Sequence, residues 1–259
     1  MSDDHNLAAS ANWPEAVRKI RARTPARIFV ERGAAYSTQM GLDLRGARAA
    51  AADAVWAEFD LQRDLPAELV AQFRLFQLSS RAESKSQYLL RPDLGRSLSE
   101  AGRDLLARRC AKGTDLQIVI GDGLSVAAVS AQIPSLLPLL QANAGGRGWW
   151  VGQCFTVRYC RVGIMNEIGA VLEPRVLVLL IGERPGLATA ESLSAYMGYS
   201  PRPGHTDADR NLISNIHARG VSVADAVQRI VGLASQMMAA KLSGTSLKEQ
   251  TGALLQSGR

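Results

Sequence analysis

The chain has 259 residues, which is long enough for one large domain or two modest ones. Hydrophobic residues make up 47% and charged residues 21%, which is enough apolar material for a full buried core. Its formal net charge is +6, yet aromatic residues make up only 5% and none is interleaved with a basic run. Because single-stranded nucleic acid is bound by interleaved aromatic and basic side chains, the composition argues against a nucleic-acid-binding protein.

The first part of the chain is predicted to be helical. Residues 1–12 are polar and expected to be disordered, without the apolar segment of a secretory signal. A short helix is predicted over 13–23, where Pro25 follows. The stretch 27–44 is expected to be irregular, and an alanine-rich helix is predicted over 45–59.

Two further helices are predicted before residue 113. One covers 66–78, with proline in its first turn. A structured connection over 81–96 leads to the second, over 97–112, where Ser97 and Glu100 form a capping-box pattern.

The pattern then changes to strands alternating with helices. This alternation favours an α/β fold with a parallel sheet and crossover helices, and it places a domain boundary near residue 110. The longest apolar run, which is typical of a buried parallel strand, is far too short to span a bilayer. The predicted strands are 116–120, 154–159 and 175–181. Of the three predicted helices, the first ends near 141, the second covers 161–172 and the third covers 223–242.

The three cysteines, Cys110, Cys154 and Cys160, have no C-x-x-C spacing and no histidine at metal-ligand spacing. They are predicted to be buried free thiols in a reducing cytosol, and no metal site is expected.

The segment 121–125, Gly-Asp-Gly-Leu-Ser, lies between a predicted strand and a predicted helix. Small residues there allow a phosphate to approach the helix N-terminus. Alternatively, the loop is a tight turn in which Asp122 caps the helix. The dinucleotide pattern G-x-G-x-x-G fails at Val126, so both interpretations stay open.

Two other segments at predicted strand ends carry charge. In 182–186, Glu183 can accept hydrogen bonds from ligand hydroxyls or amides, or can pair with an arginine. In 158–162, Arg158 and Arg161 suit phosphate or amide carbonyls, or form surface ion pairs.

The segment 213–217 raises the question of cobalt ligation by histidine. Asn215, His217 and Gly220 give N-x-H-x-x-G, where cobalamin domains that use histidine as the lower ligand carry D-x-H-x-x-G. The aspartate that raises the basicity of such a histidine is missing, which favours a hydrogen-bonded histidine over a cobalt ligand. With His5 in the tail and His205 in a Gly/Pro-rich stretch, no catalytic set is predicted in this chain.

Together these segments resemble the small (light) subunit of adenosylcobalamin-dependent ethanolamine ammonia-lyase. The resemblance is good over residues 80–242 and weaker over 14–79, and the segments follow the family's order. They are 90–96, 122–125, 158–162, 182–186, 191–194 with Tyr196, 199–202 and 213–217.

The resemblance implies a Rossmann-like, mostly parallel sheet with flanking helices (111–259), preceded by a helical N-terminal region (1–110). It also implies that the chain binds adenosylcobalamin, with the dimethylbenzimidazole still on cobalt, at the interface with a large catalytic subunit. That subunit would bind ethanolamine and carry the residues for its conversion to acetaldehyde and ammonia. A hetero-oligomer of paired subunits in a dodecamer-like assembly follows.

Three cofactor contacts carry over by position: Val162, Glu183 and Asn215. The resemblance implies that Val162 packs on the apolar rim of the corrin and that Glu183 accepts hydrogen bonds from its amides or nucleotide tail. Relatives commonly have cysteine at the third position, so Asn215 is expected to act through its amide or through its main chain.

The resemblance implies a longer N-terminal extension in members housed in bacterial microcompartments, so the short segment before Trp13 favours a cytosolic enzyme. Two rival hypotheses are a nucleotide-dependent enzyme that uses the 121–125 loop and a purely structural partner of the large subunit.

Overall fold

The computed structural model describes residues 38–187 and 189–249, together with Glu15 and Lys19. Glu15 and Lys19 are helical and form an ion pair at 2.8 Å. The rest of the predicted helix over 13–23 and the predicted disorder of residues 1–12 lie outside the described residues.

The described chain before residue 110 contains five helices and one short strand. They are α1 (Thr38–Trp56), α2 (Leu61–Asp64), α3 (Ala67–Gln72), β1 (Gln77–Ser79), α4 (Lys85–Leu90) and α5 (Glu100–Arg109), with a 3₁₀ turn at Leu94–Arg96.

Three sequence predictions for this part are wrong. Helix α1 already begins at Thr38, because glycine weakens a helix but does not have to end it. The helix predicted over 66–78 stops at Gln72, since the residues that follow pair with the sheet as β1. The capping residue of α5 is Ser99, not Ser97, and its Oγ accepts a hydrogen bond from Gly102 N at 3.1 Å.

The chain after residue 110 alternates strands and helices as predicted, and then adds a β-hairpin. The elements are β2 (Leu116–Gly121), α6 (Val126–Gly145), β3 (Phe155–Arg158), α7 (Ile164–Leu172), β4 (Val176–Gly182), β5 (Leu193–Tyr199), β6 (Asn211–Ile216) and α8 (Val223–Ala240), with 3₁₀ turns at Asp207–Asp209 and Gly244–Ser246.

The six strands form one mixed sheet in the order β1-β3-β2-β4-β5-β6. Strands β1, β3, β2 and β4 are parallel, whereas β5 is antiparallel to both β4 and β6. In the central pair, Leu116 lies opposite Val176 and Gly121 opposite Ile181. The prediction of an α/β fold with a mostly parallel sheet is confirmed, and the hairpin β5–β6 was missed. The closer likeness to a Rossmann-type domain stays a prediction.

A hydrophobic core lies on each face of the sheet. Ile118 and Val178 point to the side covered by α6 and α8, and their neighbours Val119 and Leu179 point to the side covered by α5 and α7. Strands β2 and β4 are buried along their whole length, as expected of strands between two helical layers. These layers hold the carboxyl ends of β2, β3 and β4 at one edge.

The proposed division of the chain near residue 110 stays a prediction about folding units. Residues before this boundary also contact the sheet that follows it: β1 pairs with β3, and Phe59 and Leu65 are buried in the same core as β2.

Within the described ranges, no helix has both the length and the apolarity that crossing a membrane requires.

Candidate functional site

A cavity of about 370 Å³ lies at the carboxyl edge of the parallel strands. Open α/β sheets bind their ligands at this edge, because the loops after neighbouring parallel strands meet there. The loops after β2, β3 and β4 supply most of the wall, and the hairpin β5–β6 closes one side. Its lining includes Tyr88, Leu124, Val162, Glu183, Tyr196 and Leu212.

The loop after β2 is packed tightly against the end of β4. Gly123 has φ +58°, and a Cβ there would lie 2.2 Å from Gly182 O, so only glycine fits. Leu124 N donates to Gly182 O at 3.1 Å, and Asp122 N donates to Val157 O at 3.3 Å. Because these amides are used within the sheet, the loop does not present them to a phosphate, which counts against the nucleotide-dependent enzyme.

Asp122 does not cap helix α6, contrary to one of the two interpretations of this loop. Ser125 is the cap, and its Oγ accepts from Ala128 N at 3.3 Å. Asp122 is 1% exposed and turns instead to the loop after β3, where Tyr159 N and Cys160 N each donate to its carboxylate at 2.8 Å. Burial raises the pKa of Asp122 to about 6, against the lowering effect of these hydrogen bonds.

The loop after β3 is held by a stack of four planar side chains. Arg161 lies 4.2 Å from the ring centroid of Tyr88, which stacks on Tyr159 at 5.8 Å, and Arg158 lies 4.6 Å from the ring of Tyr159. Tyr159 has φ +56°, and Tyr88 OH donates to Cys160 O at 2.9 Å. The stack aims the start of α7, including Val162, at the cavity.

Arg158 and Arg161 have different partners, although the prediction from the sequence was the same for both. Arg158 forms an ion pair with Glu58, and the same carboxylate accepts from Tyr159 OH at 3.0 Å. Arg161 lines the cavity and has no carboxylate partner among residues 38–187 and 189–249. Only the interpretation of Arg158 as one half of an ion pair is therefore confirmed.

Glu183 accepts three hydrogen bonds from its own chain. Ser194 Oγ and Asn215 N donate to Oε1 at 2.6 and 2.8 Å, and Ser192 Oγ donates to Oε2 at 2.7 Å. These bonds fix the carboxylate at the cavity wall. Since each carboxylate oxygen has two acceptor positions, Oε2 keeps one for a ligand donor.

Asn215 lies at the end of β6 with φ +63°, a conformation that asparagine tolerates better than most residues. Its N–H donates to Glu183, and its carbonyl accepts from Val221 N at 2.8 Å. Its Oδ1 lies 2.7 Å from His217 Nε2. Within the described part of the chain, Nδ2 has no hydrogen-bond partner. The group of Asn215 that is left available to a ligand is therefore a side-chain donor.

His217 is 6% exposed and is engaged through both ring nitrogens. Nδ1 accepts from Arg219 N at 3.2 Å, which makes Nε2 the protonated nitrogen that donates to Asn215. Burial and the charge of Arg219 lower the pKa of His217, which favours the neutral ring. The prediction of a hydrogen-bonded histidine is confirmed.

The structure therefore brings the three sequence-predicted contacts together. Val162 and Glu183 both line the cavity, and Asn215 is hydrogen-bonded to Glu183 beside it. Sequence reasoning missed Tyr88 and Ser192 as supports of this wall. The serine was detectable, because it lies in the segment 191–194 that contributes to the family resemblance, whereas nothing local to Tyr88 indicates its contact with Cys160.

All three cysteines are buried free thiols, as predicted. Burial raises the pKa of Cys110 to about 11 and that of Cys154 to about 12, so neither is a thiolate nucleophile near neutral pH. Over residues 38–187 and 189–249, no group of three or more His, Cys, Asp or Glu side chains is placed to hold a metal ion.

Comparison with known proteins identifies the family of this chain. The family model described as "Ethanolamine ammonia-lyase light chain (EutC)" matches residues 14–248. The chain belongs to the ethanolamine ammonia-lyase light-chain family. Relatives named "Ethanolamine ammonia-lyase small subunit" include one from Rhodopseudomonas palustris, 42% identical over 91% of each chain. A second, from Clostridium perfringens, is 38% identical over 90% of this chain and 78% of its own. As a light chain of this family, the protein is a lyase subunit.

Proposed function

We propose that this chain binds adenosylcobalamin, with its dimethylbenzimidazole on cobalt, at an interface with the large catalytic subunit of ethanolamine ammonia-lyase. The complex converts ethanolamine to acetaldehyde and ammonia. The observation that carries the proposal is that Val162 and Glu183 line one cavity and that Asn215 is hydrogen-bonded to Glu183, in a chain whose relatives are named small subunits of this enzyme.

The donors and acceptors at the cavity match the periphery of a corrinoid, which combines an apolar ring with amide side chains. Leu124, Val162 and Leu212 offer apolar surface. Glu183 Oε2 offers an acceptor for an amide N–H, and Asn215 Nδ2 offers a donor for an amide carbonyl. Arg161, which lines the cavity and has no carboxylate partner in the described part of the chain, adds a charged donor.

The cavity of about 370 Å³ is smaller than a corrinoid and is open to one side of the sheet edge. A second surface is therefore needed to enclose the cofactor, and we infer that the large subunit supplies it. Paired subunits in a dodecamer-like assembly would place one such interface at each pair.

The hydrogen bonds of His217 support binding with the cofactor's own base on cobalt. Both nitrogens of His217 are engaged by Asn215 and Arg219, and the ring is buried. Freeing Nε2 for a metal would break the bond to Asn215, which itself holds its place through Glu183.

When bound, adenosylcobalamin supplies the radical chemistry, and the protein supplies its placement. In this division of labour Glu183 would hold an amide edge of the corrinoid and Val162 would pack against its rim. The residues that act on ethanolamine belong to the large subunit.

Reconstitution tests the division of labour. This chain alone, the large subunit alone and their mixture are each assayed for acetaldehyde formation with ethanolamine and adenosylcobalamin. We expect activity only in the mixture. Turnover by this chain alone would contradict the proposal, and equal cobalamin binding by the large subunit without this chain would favour the purely structural role.

A binding experiment tests the cavity. In the two-subunit complex, Glu183→Ala is expected to raise the adenosylcobalamin dissociation constant about tenfold or more, because an acceptor and three supporting hydrogen bonds are lost. Glu191→Ala, an exposed carboxylate of the same loop, is the matched control and is expected to leave the constant unchanged. Equal constants for both variants would remove Glu183 from the site.

A further inference from the structure

A second and larger cavity, of about 950 Å³, adjoins the first. The two share Arg161, Val162 and Tyr196 in their walls. The larger cavity extends from there along the first turn of α7 towards the segment between β5 and β6. Of the three predicted cofactor contacts, Val162 lines the larger cavity, whereas Glu183 and Asn215 do not.

Four arginines line this cavity, and two of them are neutralised by carboxylates. Arg103 Nε donates to Glu167 at 2.6 Å, and Arg210 forms an ion pair with Asp207. These pairs account for the acidic side chains in the cavity wall.

The other two arginines, Arg96 and Arg161, have no carboxylate partner within residues 38–187 and 189–249. Arg161 Nε is buried and without a hydrogen-bond partner in those ranges, as is Arg210 Nε. The free-energy cost of burying a donor without a hydrogen-bond partner is larger for a charged donor than for a neutral one. The wall of the cavity therefore has an excess of positive charge that the chain itself does not neutralise.

The two arginines without a carboxylate partner are anchored close to one another. Arg161 N donates to Gly95 O at 2.8 Å, which ties it to the residue just before Arg96. The methylenes of Arg96 cover Gly163, where a Cβ would lie 2.9 Å from Arg96 Cγ. Both residues are thus placed at the start of α7, and both line the cavity together with Val162.

The first turn of α7 does not by itself offer an anion site. Ile164 N donates to Arg161 O at 3.0 Å, and Met165 N donates to Val162 O at 3.2 Å, so these amides are already used. The charge comes from the guanidinium groups. Tyr196 OH adds a neutral donor without a partner among the described residues.

We propose that the larger cavity binds a phosphoryl group between Arg96 and Arg161. A guanidinium group offers planar paired donors, and two of them can be satisfied by different oxygens of one phosphate. In part this rests on the proposed function, because adenosylcobalamin carries one phosphodiester in its nucleotide tail and the cavities adjoin. The same chemistry would also accept free phosphate.

The test uses the complex with the large subunit and three corrinoids: adenosylcobalamin, adenosylcobinamide phosphate and adenosylcobinamide, which has no phosphate. Dissociation constants are measured by equilibrium dialysis followed through corrinoid absorbance. We expect Arg96→Gln to raise the constants of the two phosphate-bearing ligands about tenfold or more and to leave adenosylcobinamide within about twofold.

Arg103→Gln, in the same cavity but paired with Glu167, is the matched control and is expected to change no ligand by more than about twofold. Arg161→Gln is a second test variant, with folding checked by circular dichroism. Arg96→Lys keeps the charge but loses the paired donors, so we expect an intermediate loss.

A second arm measures the melting temperature of the complex in inorganic phosphate. If only phosphate-bearing corrinoids respond to Arg96→Gln, the cofactor's tail is the source of the group. If corrinoid binding is unaffected but phosphate stabilises the wild type more than Arg96→Gln, free phosphate is the source. Equal losses for all three corrinoids with no phosphate effect would overturn the anion site.

The proposed function fails separately. If the wild-type complex binds none of the three corrinoids, cobalamin binding is wrong, and the phosphate arm still decides whether Arg96 and Arg161 form an anion site.

Discussion

Asp122 and Glu183 follow two neighbouring parallel strands at the same edge of the sheet, and both accept several hydrogen bonds from their own chain. Asp122 is 1% exposed, and its oxygens face the backbone N–H groups of Tyr159 and Cys160. Glu183 is half-buried, bound mainly by side chains, and one of its oxygens keeps an acceptor position at the cavity.

This difference separates a structural carboxylate from one available to a ligand. Asp122 joins the loop after β2 to the loop after β3, and its acceptors are used within the protein. Glu183 is held by the hairpin β5–β6 but still faces the cavity. Placement at a strand end is therefore not enough to identify a binding residue, and burial together with remaining hydrogen-bonding capacity decides.

The largest expected effect is that of Asp122→Ala on stability. It would leave two buried backbone donors without acceptors, so we expect the free energy of unfolding to fall by about 4 kcal/mol. Urea denaturation of the purified chain measures this. Glu173→Ala, which removes the exposed ion pair with Lys112, is the control and should cost under about 1 kcal/mol. A similar small loss for both variants would break the comparison.

The second prediction concerns pH. Burial raises the pKa of Asp122 from an ordinary 3.8 to about 6, so between these values the folded chain keeps a proton that the unfolded chain has released. The contribution of Asp122 to stability therefore falls as pH rises through this window. From pH 7 to pH 4 we expect the wild type to gain about 2 kcal/mol relative to Asp122→Asn.

Taking the difference between wild type and variant removes the titration of other groups, among them His217, whose lowered pKa acts in the opposite direction. A difference that shrinks on acidification would mean that the hydrogen bonds to Asp122 outweigh its burial.

The third prediction concerns Glu183→Gln. The amide keeps one acceptor oxygen for Ser194 and Asn215, so the free energy of unfolding should fall by only about 1 kcal/mol. Its NH₂ replaces the acceptor that faces the cavity, and we expect the adenosylcobalamin dissociation constant of the complex to rise about tenfold. Absorbance titration and urea denaturation give the two values, and a loss confined to stability would make Glu183 a structural residue like Asp122.

The smallest effect is expected at Asn215. Asn215→Gly removes the contact with His217 but suits φ +63°, so stability should change by less than about 1 kcal/mol. Since Nδ2 is the free donor, the cofactor dissociation constant should rise about threefold to fivefold. Asn215→Ala should bind equally weakly but be about 1 kcal/mol less stable than the glycine variant. Unchanged affinity in both would leave only a main-chain contact.

Much of the sheet could be predicted because its signals are local. The runs that form β2 and β4 are continuously apolar, as expected of strands covered on both faces. Strand β1 could not be predicted in this way, because its three residues continue a helical pattern and are extended only through pairing with β3. Strand β6 exposes half of its residues and gives only a weak alternation.

Three features could be recognised in the sequence alone: the α/β alternation, the position of the charged segments at strand ends, and the family to which those segments belong. Apolar runs and strand-end loops are properties of neighbouring residues, so no partner from elsewhere in the chain is needed to recognise them. The same holds for the missing aspartate that argued against cobalt ligation by His217.

The folded structure was needed to see which charged side chains are already paired. Arg158 meets Glu58 across 100 residues of chain, whereas Arg161, three residues later, meets an aromatic ring and no carboxylate among the described residues. Asp122 and Glu183 differ for the same reason. Burial and hydrogen-bond saturation depend on segments that come together only when the sheet forms, and these segments decide which groups are left to bind a ligand.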